Sequence, residues 1–341
     1  MSHTVKIQPA GLQFSLADDV TILQGALDAG YVLPYGCRDG ACGSCKGRVL
    51  AGEIDHGKAS ATALPDDERA AGMALFCCAH AHTDLVIECH QVGSADDFPV
   101  KKLPCRVQRL ERAADDVMIV EVKLPATETF GFRAGQYIDF LLPGNRRRSF
   151  SIANAPQDAQ HLELHIRLVP DGQFTRHVFD GMKVKDILRF EGPLGSFYLR
   201  EDSTRPILLL AGGTGFAPIK GLVEYALKIG LDRPMKLYWG SRDKAGLYMD
   251  RLARGWQSEL PGFDYVPVVS DQGPADGWDG RTGLVHQAVM QDLPDLSGWQ
   301  VYACGAPAMI DAARRDFVGQ CGLPQDHFFA DSFTYAADPA P

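Results

Sequence analysis

The chain has 341 residues, of which 45% are hydrophobic and 23% charged, a composition typical of a globular protein with two or three domains. The formal net charge is -9. Basic residues do not outnumber acidic residues in residues 1–93, in 94–202 or in 203–341, so nucleic-acid binding is not expected. The N-terminus lacks a basic and apolar signal segment, and no apolar run approaches about 18 residues. We therefore expect no membrane association and a cytoplasmic location.

The first 92 residues are predicted to form a small β-rich domain, because their periodic segments are short and separated by turn residues. The predicted elements are strands at 4–7, 12–16, 47–50 and 85–89 and a helix at 19–29. Residues 93–102 are polar, contain Gly and Pro and show no periodicity, so they are predicted to be a linker.

Two further domains are predicted from a change in rhythm near residue 203. Between 103 and 202, short strand-like runs such as 118–122 and 137–142 are separated by Gly and Pro turns, a pattern typical of an antiparallel β-barrel. Between 203 and 341, apolar strands alternate with a helical stretch, which indicates an α/β domain with a parallel, doubly wound sheet. The elements predicted there are strands at 207–211, 235–239 and 301–303 and a helix at 218–229.

Three cysteines lie in the segment YGCRDGACGSCK at 35–46, where Cys37, Cys42 and Cys45 follow the spacing C-x4-C-x2-C. This is the plant-type [2Fe–2S] spacing. Glycines within the segment relieve the steric cost of a tight loop whose N–H groups must point inward. Reduced buried thiols and a zinc site are the alternatives, but zinc sites commonly pair two short Cys/His spacings, and this segment has one long-spaced triplet.

The fourth cluster ligand must come from outside this loop, and the adjacent Cys77 and Cys78 are both candidates. The segment LFCCA at 75–79, followed by Asp84, resembles the ferredoxin signature in which the ligand lies two residues after a Leu and seven before an Asp. That resemblance implies Cys77 as the fourth metal ligand, in a β-grasp domain of the plant-type ferredoxin fold.

The segment RRRSFSIAN at 146–154 resembles the R-x-[YF]-S element of the ferredoxin–NADP reductase superfamily, and HIRLVPDGQFT at 165–175 resembles its Gly-x-x-[ST] helix start. An arginine fork suits a flavin phosphate, an aromatic ring packs on the flavin, and a hydroxyl can hydrogen-bond its N5. Free N–H groups at a helix N-terminus suit a diphosphate. The resemblance implies an FAD-binding barrel with these contact residues: Arg148, Ser149, Phe150, Ser151, His165, Arg167, Gly172, Phe174 and Thr175.

The segment GGTGFAP at 212–218 follows a predicted apolar strand and opens directly into a predicted helix. Gly213 and Gly215 match the start of a dinucleotide fingerprint, but Pro218 occupies the place of its third glycine. GGTGxxP is the usual form in the superfamily, and Pro suits the first turn of a helix. The implied nucleotide-binding residues are Gly212, Gly213, Thr214, Gly215 and Pro218.

The second strand of this domain ends at LYWGSR (237–242) without an acidic residue that would bond a ribose 2′-hydroxyl. Arg242 suits a 2′-phosphate instead, which favours NADPH, whereas the reductases with the most similar motifs use NADH. We predict NADH, with NADPH as the alternative.

Two segments near the C-terminus complete the resemblance. YACGAPAM at 302–309 resembles the C-G-x-P element whose cysteine lies near the nicotinamide C4, which implies cofactor contacts by Cys304, Gly305 and Pro307. FADSFT at 329–334 resembles the segment that borders the flavin, through either Phe333 or Tyr335. Ser151 and Cys304 are assigned supporting catalytic roles, since the chemistry requires no acid/base machinery.

The three modules in this order resemble the reductase components of bacterial oxygenases, of the phenol hydroxylase and benzoate dioxygenase type, and CDP-6-deoxy-glucoseen reductase. The resemblance implies an NADH-dependent reductase that passes hydride to FAD and single electrons to its [2Fe–2S] cluster and then to a partner oxygenase or dehydrase. We expect a monomer whose acceptor docks near the acidic first domain, in which 6 Lys and Arg stand against 11 Asp and Glu in residues 1–93. The alternative functions are a cluster-containing redox sensor and a flavin reductase that releases reduced flavin.

Overall fold

A computed structural model describes residues 2–94, 98–158, 160–273 and 276–334. The chain divides into two compact units. The first unit contains Met1–Asp97 with the short segments Gly195–Phe197 and Asp331–Thr334, and the second contains Phe98–Leu194 and Tyr198–Ala330. Across the described ranges, no helix has both the length and the apolar character needed to cross a membrane.

The first unit is built from short strands and two short helices. They are β1 (Ser2–Pro9), β2 (Leu12–Ala17), α1 (Ile22–Asp28), β3 (Tyr31–Val32), β4 (Lys46–Ala51), β5 (Ile54–Asp55), α2 (Asp66–Ala70), β6 (Met73–Leu75), β7 (His80–Ala81), β8 (Leu85–Cys89) and β9 (Gly93–Ser94). Five strands form a sheet in the order β2-β1-β8-β4-β6. β1 and β8 are parallel and the other neighbours antiparallel, which confirms the predicted β-grasp fold.

Side chains of β1 point alternately to the two faces of the sheet, which places Val5 and Ile7 in the core. The buried side of α1 belongs to the same core. The helix begins at Ile22 and not at residue 19, because the Thr21 hydroxyl accepts the Gln24 N–H at 3.3 Å and caps it. The chain from β3 to β4 is therefore held at both ends by sheet strands, and it contains the cysteine loop.

The first half of the second unit is an antiparallel barrel-like sheet, as predicted. Its elements are β10 (Lys101–Ala114), β11 (Val117–Lys123), β12 (Tyr137–Leu142), β13 (Arg146–Ser151), β14 (His161–Arg167), α3 (Gln173–Asp180) and β15 (Ile187–Leu194). The strand order is β13-β12-β15-β10-β11-β14. Inward residues such as Val107, Val120 and Phe140 are fully buried and form one core.

The second half of this unit confirms the predicted parallel sheet. Its elements are β16 (Ile207–Gly212), α4 (Phe216–Ile229), β17 (Met235–Ser241), α5 (Asp250–Glu259), β18 (Phe263–Val269), β19 (Arg281–Thr282), α6 (Val285–Asp292), β20 (Gln300–Gly305), α7 (Pro307–Gln320) and β21 (Phe328–Ser332), whose last two residues are counted with the first unit. The order is β19-β18-β17-β16-β20-β21. Starting from β16, the chain adds β17, β18 and β19 on one side and then β20 and β21 on the other, so the strand order reverses between β16 and β20. Ligands of such sheets bind at the carboxyl ends of the strands on either side of this reversal.

The predicted linker 93–102 is partly occupied by strands. Gly93 and Ser94 pair with β3, and Lys101 and Lys102 pair with β15. The domain boundaries 1–92, 103–202 and 203–341 therefore stay a prediction, with strand pairing extending into the linker from both sides.

Candidate functional site

The loop between β3 and β4 turns tightly around its cysteines. Arg38, Gly40 and Gly43 have φ angles of 58°, 73° and 76°, which let the backbone curl inward. The Asp39 N–H donates to the Cys37 sulfur at 3.3 Å, and the Cys37 N–H donates to the Cys42 sulfur at 3.4 Å. Backbone donors directed at sulfur are what an anionic iron–sulfur site requires.

The four predicted ligands come together as two pairs of thiols. A hydrogen bond from Cys42 lowers the pKa of Cys37 to about 6, and a hydrogen bond from Cys45 lowers the pKa of Cys77. The pKa values of Cys42 and Cys45 are raised, first by those same bonds and then by burial. The thiols of the loop thus lie next to each other and to a thiol from the segment after β6.

This donor set fits a two-iron cluster, because each iron takes two thiolates. A single zinc ion would need three or four ligands around one point. The residues that would hold the cluster are Cys37, Cys42, Cys45 and Cys77.

Cys77 and Cys78 differ in what they face. Cys77 contacts Cys45 and accepts the Gly40 N–H. The Cys78 sulfur lies 3.6 Å from the Cys77 sulfur and packs on Gly40, where an added Cβ would come within 2.7 Å of it. This geometry supports Cys77 as the ligand.

Two short segments from later in the chain pack on the same loop. The Tyr35 N–H donates to the Ser196 hydroxyl at 2.8 Å, and the Asp331 carboxylate lies beside Gly36. Phe333 belongs to this segment and is partly buried. Its predicted contact with a flavin stays a prediction, and Tyr335 lies outside the described residues.

The β12–β13 hairpin carries the predicted flavin motif on two faces. Arg148 and Phe150 share one face, where the Phe150 ring lies 5.8 Å from Phe140 and 5.7 Å from Phe174. The opposite face bears Ser149, whose hydroxyl donates to Asp139 at 2.6 Å. The Ser149 side chain thus has a protein partner, and its predicted cofactor contact stays a prediction.

The helix after β14 begins as predicted. Gly172 is the N-cap of α3, and the Thr175 hydroxyl accepts the Val169 N–H at 3.1 Å, which closes the preceding loop. Arg146 donates to the Gln173 side chain at 2.8 Å and so ties the start of α3 to β13. An anion at this helix start would meet free N–H groups and a nearby arginine.

His165 and Arg167, both predicted to contact the flavin, point toward the nucleotide half of the unit. The His165 nitrogens lie 2.9 Å from Glu163 and 2.9 Å from Tyr248, and burial lowers the pKa of the imidazole. Both nitrogens thus have protein partners, which argues against a flavin contact by the ring. The Arg167 guanidinium lies against Gly213, where an added Cβ would come within 2.7 Å of it.

The nucleotide loop connects β16 to α4 through a single 3-10 turn, Gly213–Gly215. Gly213 has a φ of 53°, and its carbonyl accepts the Trp239 indole N–H at 3.0 Å. The Phe216 ring stacks on Trp239 at 3.9 Å and anchors the first turn of the helix, which also contains Pro218. The predicted loop is therefore preformed.

Glycines let β16 and β20 approach closely at their carboxyl ends. A Cβ at Gly215 would lie 2.1 Å from the Cys304 carbonyl oxygen, and one at Gly305 would lie 3.2 Å from the Gly212 Cα. The Cys304 side chain is fully buried, so its predicted contact with nicotinamide stays a prediction. Pro307 begins α7 directly after this contact.

Arg242 is exposed at the end of β17, as the sequence predicts. Its carbonyl accepts the Asp271 N–H at 2.8 Å, and the Asp243 carboxylate caps the following turn. The predicted contact of Arg242 with a nucleotide 2′-phosphate stays a prediction.

Sequence reasoning missed the buried Lys220 and the half-buried Glu163 and Tyr248, which His165 links into one polar cluster between the barrel and the nucleotide half. One signal was available, since Lys220 is a charged residue in an otherwise apolar helical stretch, FAPIKGLV.

Comparison with known proteins agrees with this arrangement. Three family models match: a 2Fe-2S iron-sulfur cluster binding domain over 5–82, an oxidoreductase FAD-binding domain over 104–198 and an oxidoreductase NAD-binding domain over 209–315. The chain is 43% identical over 333 residues to the CDP-6-deoxy-L-threo-D-glycero-4-hexulose-3-dehydrase reductase of Yersinia pseudotuberculosis, covering 98% of this chain and 99% of the relative.

Two further relatives cover the whole architecture. The phenol 2-monooxygenase reductase component of a Pseudomonas species is 36% identical, with 100% of this chain and 97% of the relative covered. The crystal structure of the cytochrome P450 reductase GcoB of Amycolatopsis superposes with a TM-score of 0.77 at 35% identity, covering 98% of this chain and 100% of that one. The chain belongs to this family of three-domain reductases: it is an iron–sulfur flavoprotein oxidoreductase that carries electrons from NADH through FAD and a [2Fe–2S] cluster to a protein acceptor.

Proposed function

We propose that the acceptor is a dehydrase acting on a nucleotide-linked deoxyhexulose. The observation that carries this proposal is the greater similarity, along the whole chain, to the Yersinia dehydrase reductase than to the phenol 2-monooxygenase reductase component. An oxygenase component is the second candidate, because reductases of oxygenases share all three domains.

FAD, when bound, would supply two-electron uptake of hydride from NADH and one-electron release to the cluster. The chain supplies positions and charges for this transfer. Cys37, Cys42, Cys45 and Cys77 hold the cluster, and the inward N–H groups of the loop stabilise its negative charge. Arg148 would bind the flavin diphosphate, and Phe150 would pack against the flavin ring.

At the nucleotide end, the turn Gly213–Gly215 and the start of α4 would present backbone N–H groups to the NADH diphosphate. Ser151, at the buried end of β13, would hydrogen-bond the flavin, and Cys304, near the end of β20, would lie beside the nicotinamide. Glycines at 212, 215 and 305 keep side chains out of the crevice between β16 and β20.

The acceptor docks on the cluster domain of a monomeric reductase in the cytoplasm. Exposed carboxylates on that domain support this site, because an acidic surface attracts a basic partner over distances near the Debye length. These carboxylates are Asp18, Asp19, Asp28, Asp39, Glu53, Asp55, Asp66, Asp67 and Asp84.

The test is reconstitution with purified acceptors under otherwise identical conditions. NADH consumption should be stimulated by a CDP-hexulose dehydrase and not by a phenol hydroxylase oxygenase component, and the stimulation should weaken as salt rises. Stimulation by the oxygenase alone would overturn the dehydrase assignment. Stimulation independent of salt would overturn the acidic docking surface, and sedimentation as a dimer would overturn the monomer.

A further inference from the structure

Lys220 is a buried lysine in the helix that follows the nucleotide loop. It is 5% exposed, although lysine is rarely buried without a partner. Its ammonium lies 3.1 Å from a Glu163 carboxylate oxygen and 2.7 Å from a Glu224 carboxylate oxygen, and it donates to the Ala153 carbonyl at 3.3 Å. The charge is thus surrounded by three acceptors.

Two of these acceptors belong to the flavin barrel. Glu163 lies on β14, and Ala153 lies two residues beyond Ser151 on the chain that continues from β13. The Ala153 N–H donates to the Glu163 carbonyl at 2.8 Å, so the two segments are already joined through their backbones. Lys220 therefore reaches from α4 to a rigid pair of barrel segments.

The next residue of α4 brings helix and barrel into backbone contact. A Cβ at Gly221 would lie 3.0 Å from the Ile152 carbonyl oxygen and 3.4 Å from that of Asn154. A larger residue would push the helix away, so the position of α4 is set by glycine contact as well as by charge.

The surroundings keep Glu163 ionised as the partner of this lysine. Burial alone would raise the pKa of Glu163, but the His165 hydrogen bond and the Lys220 charge outweigh it and lower the pKa to about 2. Burial lowers the pKa of His165, and its imidazole hydrogen-bonds Glu163 at 2.9 Å and so holds the carboxylate from the other side. Buried ion pairs of this kind contribute little net stability and are better suited to fixing one arrangement.

We infer that Lys220 and Glu163 are positioning residues for hydride transfer. The pair fixes the helix that begins at the nucleotide loop against the strand that ends at Ser151, and so sets the distance between nicotinamide and flavin. This inference rests on the proposed placement of the flavin at β13. Lys220 is enclosed by protein groups and acts through α4.

The test compares Lys220→Met with Lys228→Met in the full holoprotein. Lys228 lies on the same helix and pairs with Asp158, but that pair is exposed, and exposed pairs contribute little. Stopped-flow reduction of the flavin by NADH should be slowed roughly 10- to 100-fold in Lys220→Met and less than about twofold in Lys228→Met. The long-wavelength charge-transfer absorbance of the nicotinamide–flavin complex should weaken in Lys220→Met while the flavin content and the Kd of NADH stay near wild type.

The isosteric variant Glu163→Gln tests the same ion pair if Lys220→Met fails to fold. It should also slow flavin reduction without loss of flavin. Equal rates and equal charge-transfer absorbance in wild type, Lys220→Met and Glu163→Gln would overturn the inference. Failure of NADH to bleach the wild-type flavin would instead overturn the proposed function, since that outcome precedes any comparison of variants.

Discussion

The Cys77 thiol hydrogen-bonds both the Cys45 thiol and, with a sulfur–sulfur distance of 3.6 Å, the neighbouring Cys78 thiol. Replacing Cys77 by Ser should abolish the [2Fe–2S] cluster or leave a small fraction of it, because one iron loses a thiolate ligand. Cys78→Ser is the matched control and should retain about two iron atoms per chain. Iron analysis and visible absorbance measure the outcome, and a cluster lost in Cys78→Ser but kept in Cys77→Ser would assign the ligand to Cys78.

Ser151→Ala should slow flavin reduction by NADH about tenfold, the effect of losing one hydrogen bond of about 1.4 kcal/mol in the transition state. Flavin content should be unchanged, because Arg148 and Phe150 remain. Stopped-flow absorbance at the flavin band measures the rate. Ser258→Ala, on the exposed side of α5, is the control. Equal rates in both variants would remove Ser151 from the proposed site.

Gly215→Ala should damage the nucleotide site, since its Cβ would lie 2.1 Å from the Cys304 carbonyl oxygen and the two strand ends would have to separate. We expect the KM for NADH to rise at least about tenfold, as positioning errors of this size commonly cause. Gly319→Ala in α7 is the control, because its Cβ would meet nothing within 4 Å. That variant should gain up to about 1 kcal/mol of helix stability and keep its KM.

Arg242→Ala should lower kcat/KM for NADPH more than for NADH. An exposed guanidinium at the end of β17 can bind a 2′-phosphate, and a charged hydrogen bond contributes about 1.5 to 3 kcal/mol, or at least about tenfold. Steady-state kinetics with both nucleotides give the ratio. A variant in which both nucleotides lose the same factor would show that Arg242 does not read the 2′ position.

Glu163 should make the stability of the second unit depend on pH in acid. Its pKa is lowered from 4.5 to about 2, so its contribution is complete above pH 4.5 and is lost as the pH falls toward 2. Linkage gives about 1 kcal/mol lost between pH 7 and pH 4. The groups that face this carboxylate are His165, Lys220, Glu224, Arg109 and Tyr248.

Urea titrations followed by flavin release, at pH 7 and pH 4, measure this loss. In Glu163→Gln the change in unfolding free energy between the two pH values should be smaller than in wild type by about 1 kcal/mol. An identical change in both proteins would mean that Glu163 titrates normally in the folded state.

Local patterns were sufficient for most of the fold and for the loops that hold cofactors. The strand at 137–142 and the GGTGFAP turn follow from apolar runs and from glycine and proline chemistry, which act within a few residues. The helix α1 begins three residues later than predicted, because Thr21 caps it. Capping residues of similar propensity compete, and the sequence alone does not rank them.

Contacts between elements that are distant in the sequence could not be predicted from local sequence patterns. The pairing of Lys220 with Glu163 joins α4 to β14, and no periodicity within either element indicates it. The placement of Ser149 against Asp139 depends on the register of the β12–β13 hairpin, which motif matching does not include. Predicted site residues are therefore most dependable where the backbone itself forms the site.

The central claim is electron flow from NADH through the flavin to the cluster within one chain. Anaerobic titration of the purified holoprotein with NADH, followed by visible absorbance and by electron paramagnetic resonance, tests it most directly. We predict that the flavin bleaches and that the signal of a reduced [2Fe–2S] cluster grows with it, in protein containing about two iron atoms per chain. A bleached flavin without a cluster signal, or a protein that NADH does not bleach, would contradict the account.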